Sequence, residues 1–137
     1  MTTAPHWATG LIGKPYSRDP SPPDSFNCWA LVRHAFEHAH GITMPEIAVG
    51  HAGQNAGAIR EAAAVSGWRP LAAGAQPAEH DVVLMAGLEG PHVGVMVRAN
   101  GTLLLLHCME GVGVCAQPLA ELPRMGFHGF VFWRREQ

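Results

Sequence analysis

The apolar positions of this chain change their spacing partway along it. From Cys28 to Ala39 they fall at three- and four-residue intervals, with Leu31, Val32, Ala35, Phe36 and Ala39 sharing one side. That pattern predicts a helix with one buried face, capped by Asp24 or Ser25 and stopped at Gly41. Upstream, residues 5–13 predict a short helix ending at Gly10 or Gly13, and the proline-rich stretch 17–24 predicts a loop. Lys14-Pro15-Tyr16 between them reads as extended, because the residue before a proline avoids the helical region. After an irregular stretch from Ile42 to Gly53, a second helix is expected from about Gln54 to Val65, with Gly67 beyond its end. From Asp81 onward the spacing shortens, and the runs 81–86, 92–99, 102–108, 112–117 and 127–135 predict strands. Helices first and strands afterwards point to an α+β fold with an antiparallel sheet. No repeat, low-complexity tract or linker interrupts residues 1–137, which read as a single domain.

One turn sets the register. Asn100-Gly101 between two β-rich runs is a strong two-residue hairpin signal. Extended along the ladder, that loop puts His92 opposite Met109 and Gly94 opposite His107. His92 and His107 then share a face as diagonal neighbours, about 7–8 Å apart at the backbone. Val93, Val95 and Val97 face the other way with Leu104, Leu106 and Cys108. A loop one residue longer or shorter would separate the two imidazoles.

Composition narrows the function classes. The formal net charge is −2 and charged residues make up 15% of the chain, so no basic excess points to nucleic acid or an anionic membrane. The longest apolar run, Val82 to Ala86, is far too short to cross a bilayer, and Met1 to Trp7 lacks the features of a secretory signal. The 3 cysteines have no Cys-x-x-Cys spacing, which fits a reduced thiol protein better than a disulfide framework. The 9 histidines equal Lys plus Arg in number, so imidazole catalysis and metal binding both need weighing.

Cys28 falls in the first turn of the predicted helix, where free N–H groups and the macrodipole favour a thiolate. The competing reading is a small buried hydrophobe. With two histidines on one sheet face, the residues suit nucleophilic thiol catalysis. His92 would take the thiol proton, His107 would hold the far nitrogen of His92, and the Cys28 N–H would face an oxyanion. A rival is His34-Ala35-Phe36-Glu37-His38, an H-x-x-E-H zinc string. Its Glu37 and His34 lie opposite the apolar stripe and no third ligand is evident, so no metal or cofactor is assigned. His34, His38 and His40 read as exposed polar-face residues. Cys108 reads as a packed thiol, Cys115 has no evident partner, and Trp68 and Trp133 read as core or surface aromatics. Gly53 to Ala58 lacks the order of a phosphate loop.

The chain resembles the NlpC-type cell-wall peptidases, which are small papain-like cysteine peptidases. The likeness runs through Leu11-Ile12-Gly13-Lys14-Pro15-Tyr16, Phe26-Asn27-Cys28-Trp29-Ala30-Leu31-Val32 and Gly41-Ile42-Thr43-Met44-Pro45. It continues in Asp81-Val82-Val83-Leu84-Met85, Pro91-His92-Val93-Gly94-Val95 and Leu105-Leu106-His107. The resemblance implies a papain-like fold with Cys28 as nucleophile, His92 as base and His107 as third member. It places Tyr16, Asn27 and Trp29 at the oxyanion and substrate site. The implied substrate is peptidoglycan, cleaved commonly between the side-chain carboxyl of D-glutamate and the following diamino acid. Trp29 after the cysteine is most similar to the phage tail-associated branch, which implies tail proteins as partners and a place in the virion tail, or the cytoplasm if the chain is not phage-encoded. The chain departs from the family at Asn27 (usually Asp), Ala30 (usually Gly) and His80 (commonly Gly), and Trp29 replaces the Ser of secreted members. Two other functions fit the same residues: a tail component that keeps the fold without turnover, and an acyltransferase using the same thiol.

Overall fold

Asn100 and Gly101 both take positive φ, 48° and 80°, the geometry that suits a tight hairpin to the twist of its strands. Around this turn a computed structural model, describing residues 6–43, 67–88 and 90–135, lays out the sheet. In chain order the elements are α1 (His6–Thr9), α2 (Cys28–His40), β1 (Trp68–Pro70), β2 (Val82–Gly87), β3 (Gly90–Ala99), β4 (Thr102–Met109), β5 (Gly113–Gln117), a 3-10 helix (Leu119–Met125) and β6 (His128–Arg135). The strands form one six-stranded sheet in the order β1-β6-β2-β3-β4-β5, each pair antiparallel. The protein is thus α+β with an antiparallel sheet. The β3–β4 rungs run from Ala99↔Thr102 to Val95↔Leu106, the register that a two-residue loop dictates.

Alternation along the strands divides the interior in two. Val82, Leu84, Val93, Val95, Val97, Leu106 and Cys108 face α2 and meet Leu31, Val32, Ala35 and Phe36. Val83, Met85, Met96 and Leu105 face the other way and pack with Leu122, Phe127, Phe130 and Phe132. The 3-10 helix therefore covers, through Leu122, the face that α2 leaves open, on which Phe130 and Phe132 of β6 also stand. Beside α2, Asp81 is buried and held by both the Nε and Nη2 of Arg134 at 2.8 Å, with the Ala78 N–H donating to it at 2.8 Å.

Several local expectations shift. The N-cap of α2 is Asn27, whose Oδ1 accepts from the Ala30 N–H at 2.7 Å, not Asp24 or Ser25. The Ser25 hydroxyl instead accepts from the Ser21 N–H, so the loop uses it before the helix begins. Gly41 ends α2 at φ 66° as expected, its N–H bonded to the Phe36 carbonyl. The first helix is shorter than predicted, and β1 and the 3-10 helix were not anticipated. The helix expected over 54–65, and most of the irregular stretch before it, lie outside the described residues. No described helix is long and apolar enough to cross a membrane.

Candidate active site

Cys28 is the first residue of α2, with Asn27 capping the helix directly before it. The chain reaches this point along a strap. Gly13 donates to Val114 and Val114 donates to Lys14, both at 2.9 Å, which ties the segment to β5. Phe26 then donates to Pro15 at 3.0 Å and Ser17 donates to Phe26 at 2.9 Å, so Tyr16 is paired alongside Phe26.

The two histidines come from the sheet. The His92 Nε2 and His107 Nδ1 lie 2.8 Å apart, and the His107 Nε2 lies 2.7 Å from the Gln117 Oε1. Phe127 stacks on the His92 ring with centroids 4.9 Å apart. Met85 is the rung partner of His92 and Cys115 of His107, so both rings stand on the Met85 and Leu105 face of the sheet. Cys28 belongs to the core on the other face.

A gap in the ladder reconciles the two. Strand N–H groups point in the plane of the sheet towards a neighbouring strand. Met96 exchanges both of its backbone bonds on the β2 side, with His80 and Asp81, so Val93 and Val95 point towards β4. Past Val95↔Leu106 the Val93 N–H is directed at the Cys28 sulfur instead of at β4. Opposite it, the Cys108 thiol donates to the Phe26 carbonyl at 3.3 Å. The start of α2 therefore packs against β3 and β4, with the Val93 N–H near enough to the sulfur to favour its charged form. The structure thus brings His92, His107 and Gln117 into one hydrogen-bonded chain, with Cys28 at the adjoining peptide. Among the described residues, the sulfur makes no hydrogen bond to either ring.

Burial dominates the electrostatics. It pushes the Cys28 thiol up to about 11, although the N–H groups of Val93, Trp29 and Cys28 itself pull the other way. The thiolate expected from the first turn of the helix is thus overridden, because 7% exposure leaves the charge poorly hydrated. His92 is pushed down to about 3, first by burial and then by the neighbouring His107. Burial lowers His107 as well, against the upward pull of Gln117. The resting site therefore holds a neutral thiol and neutral imidazoles.

The other residues expected at the site divide. Tyr16 is half-buried, and the pKa of its hydroxyl is raised by burial, then by Glu110 and Cys28, so it lies within electrostatic reach of the sulfur. Asn27 spends its side chain on the helix cap. Trp29 is 1% exposed, so its indole packs in the core rather than against a substrate, and only its N–H faces the sulfur. Along the outer side of α2, the His34 and His38 rings lie tilted against each other with centroids 4.1 Å apart, and Arg33 pairs with Glu37 at 3.8 Å. Among the described residues no three His, Cys, Asp or Glu side chains are placed to hold a metal. Sequence reasoning missed Gln117 and Phe127, both of which touch the histidines. The signal for Gln117 was its strand position, two residues beyond the partner of His107 and on the same face. No model of a known protein family, and no curated protein, matches the chain.

Proposed function

We propose that the protein is a papain-like cysteine peptidase of the NlpC type that hydrolyses peptide bonds in peptidoglycan stems, of the γ-D-glutamyl–diamino acid kind, in association with a phage tail. The observation that carries the reading is the His92–His107–Gln117 chain, with a helix-opening cysteine near the Val93 N–H. His92 uses Nε2 for His107, which leaves Nδ1 to act as base. Because thiol and imidazole are both neutral at rest, the proton moves as the sulfur attacks.

In that step the Cys28 sulfur bonds to the scissile carbonyl carbon and its proton passes to the His92 Nδ1. The carbonyl oxygen becomes an oxyanion facing the Cys28 N–H and the Tyr16 hydroxyl. Collapse breaks the C–N bond, and the proton on His92 goes to the departing amine. A water then gives its proton to His92, its oxygen bonds to the acyl carbon, and the thiol is released with the proton returned. Wall stem peptides incubated with the protein should be cleaved, and Cys28→Ala should abolish the cleavage. Equal product from both would refute the proposal.

A second reading is a tail component that keeps this architecture without turnover, and the burial of Cys28 favours it. It is supported if wall peptides stay intact and no acyl group from them is found on Cys28. Rapid thiol-dependent cleavage removes it.

A further inference from the structure

Gln117 lies at the end of β5, with partners on both sides of its amide. Its Oε1 is 2.7 Å from the His107 Nε2, while its Nε2 is 3.2 Å from the Glu121 Oε1 and 3.2 Å from the Met125 Sδ. A carboxylate and a thioether only accept, so the NH2 end must face them and the carbonyl oxygen must face His107. An amide oxygen cannot donate, so the His107 Nε2 carries the hydrogen. A neutral His107 then has a bare Nδ1, which can only accept from the His92 Nε2. His92 therefore carries its hydrogen on Nε2 and keeps an unprotonated Nδ1. The Cys115 sulfur, 3.6 Å from the His107 Nε2 and 3.8 Å from the Gln117 Oε1, fits the same order as a weak donor to the amide oxygen.

We infer that Gln117, oriented by Glu121 and Met125 at the surface, is a positioning residue that fixes the tautomers of both imidazoles and so leaves the His92 Nδ1 free to receive a proton. The use of that nitrogen in catalysis rests on the peptidase reading above, but the tautomers do not. Without Gln117 the His107 hydrogen can move to Nδ1 and donate to the His92 Nε2. That drives the His92 hydrogen onto Nδ1, the atom that must stay bare.

Two-bond 1H–15N correlation spectra of histidine-labelled protein at pH 7.5 read this directly. Both rings should show a protonated Nε2 and an unprotonated Nδ1. In Gln117→Leu the nitrogen shifts of both rings should move towards a mixture of tautomers. The exchanged pair Gln117→Glu with Glu121→Gln keeps an acceptor facing His107 and should restore the original pattern, which also covers the case in which Gln117→Leu does not fold. With stem peptides, Gln117→Leu should lower kcat about tenfold or more at unchanged KM. A hydrogen on the Nδ1 of either wild-type ring, or spectra unchanged in Gln117→Leu, overturns the inference even if thiol-dependent cleavage is found. Spectra as expected without any cleavage uphold the inference and remove the peptidase reading instead.

Discussion

Lowering the pH from 7.5 to 5 should cost the folded protein about 2 kcal/mol through His92 alone. The unfolded chain binds a proton on this ring at its ordinary value near 6.5, whereas in the fold burial and His107 hold it down to about 3. Stability is then fully present above 6.5 and falls as the unfolded state takes up a proton that the native state refuses, down to about pH 3. Each pH unit within that window is worth about 1.4 kcal/mol per proton, and the integral from 7.5 to 5 comes to about 2. His107 is lowered too and adds in the same direction. The assay is urea unfolding of wild type and His92→Gln at both pH values. Glutamine cannot titrate but can still donate to the His107 Nδ1, so packing changes little. The more exposed histidines contribute equally to both proteins and cancel. The loss between the two pH values should be about 2 kcal/mol smaller in the variant. An identical loss in both proteins would refute a buried neutral His92.

Other outcomes are equally open to measurement. With Cys108 and Cys115 replaced by serine, alkylation of Cys28 by iodoacetamide should rise with pH towards about 11; a rate already level below pH 7 would mean a thiolate–imidazolium pair at rest. Gly94→Ala should destabilise by about 2 kcal/mol in urea unfolding, because a Cβ there would lie 2.8 Å from the Leu105 Cδ1 and 2.9 Å from the Leu106 carbonyl; an unchanged midpoint would refute this crowding. Arg134→Leu strips a 1%-exposed Asp81 of its bidentate partner and should cost about 2 kcal/mol by thermal unfolding. His80→Gly should gain up to about 1 kcal/mol, since His80 holds φ 76°, less whatever its edge-on contact with His40 at 4.2 Å contributes.

The sheet was largely legible because its signals are local. Asn100-Gly101 fixes a two-residue loop, and alternation carries that register outward to the two histidines. The departure at His80 also has a local reason, since that residue sits at a positive φ that glycine adopts without strain. What escaped depends on contacts distant in sequence. β1 is three residues long and exists by pairing with β6. The 3-10 helix contains Pro123, and it is packed down through the buried Leu122. Asn27 rather than Asp24 or Ser25 caps α2 because Tyr16 holds Phe26 extended until the helix can begin. Gln117 was hidden because the β4–β5 connection has no turn as diagnostic as Asn-Gly: Gly111 and Gly113 both take positive φ, and several loop lengths would fit them. The charge state of Cys28 turns on its depth, which position in a helix does not reveal.

The strap from Gly13 to Tyr16 gives two properties a common origin. By occupying the outer margin of β5 it denies that margin to a strand from another molecule, and its Lys14 carbonyl comes so near Gly113 that any side chain there would collide with it. The same few residues hold Tyr16 within electrostatic reach of the cysteine. Loosening them should therefore make the protein stickier and its sulfur less well attended in a single event, so solubility and reactivity ought to decline together along a series of strap variants.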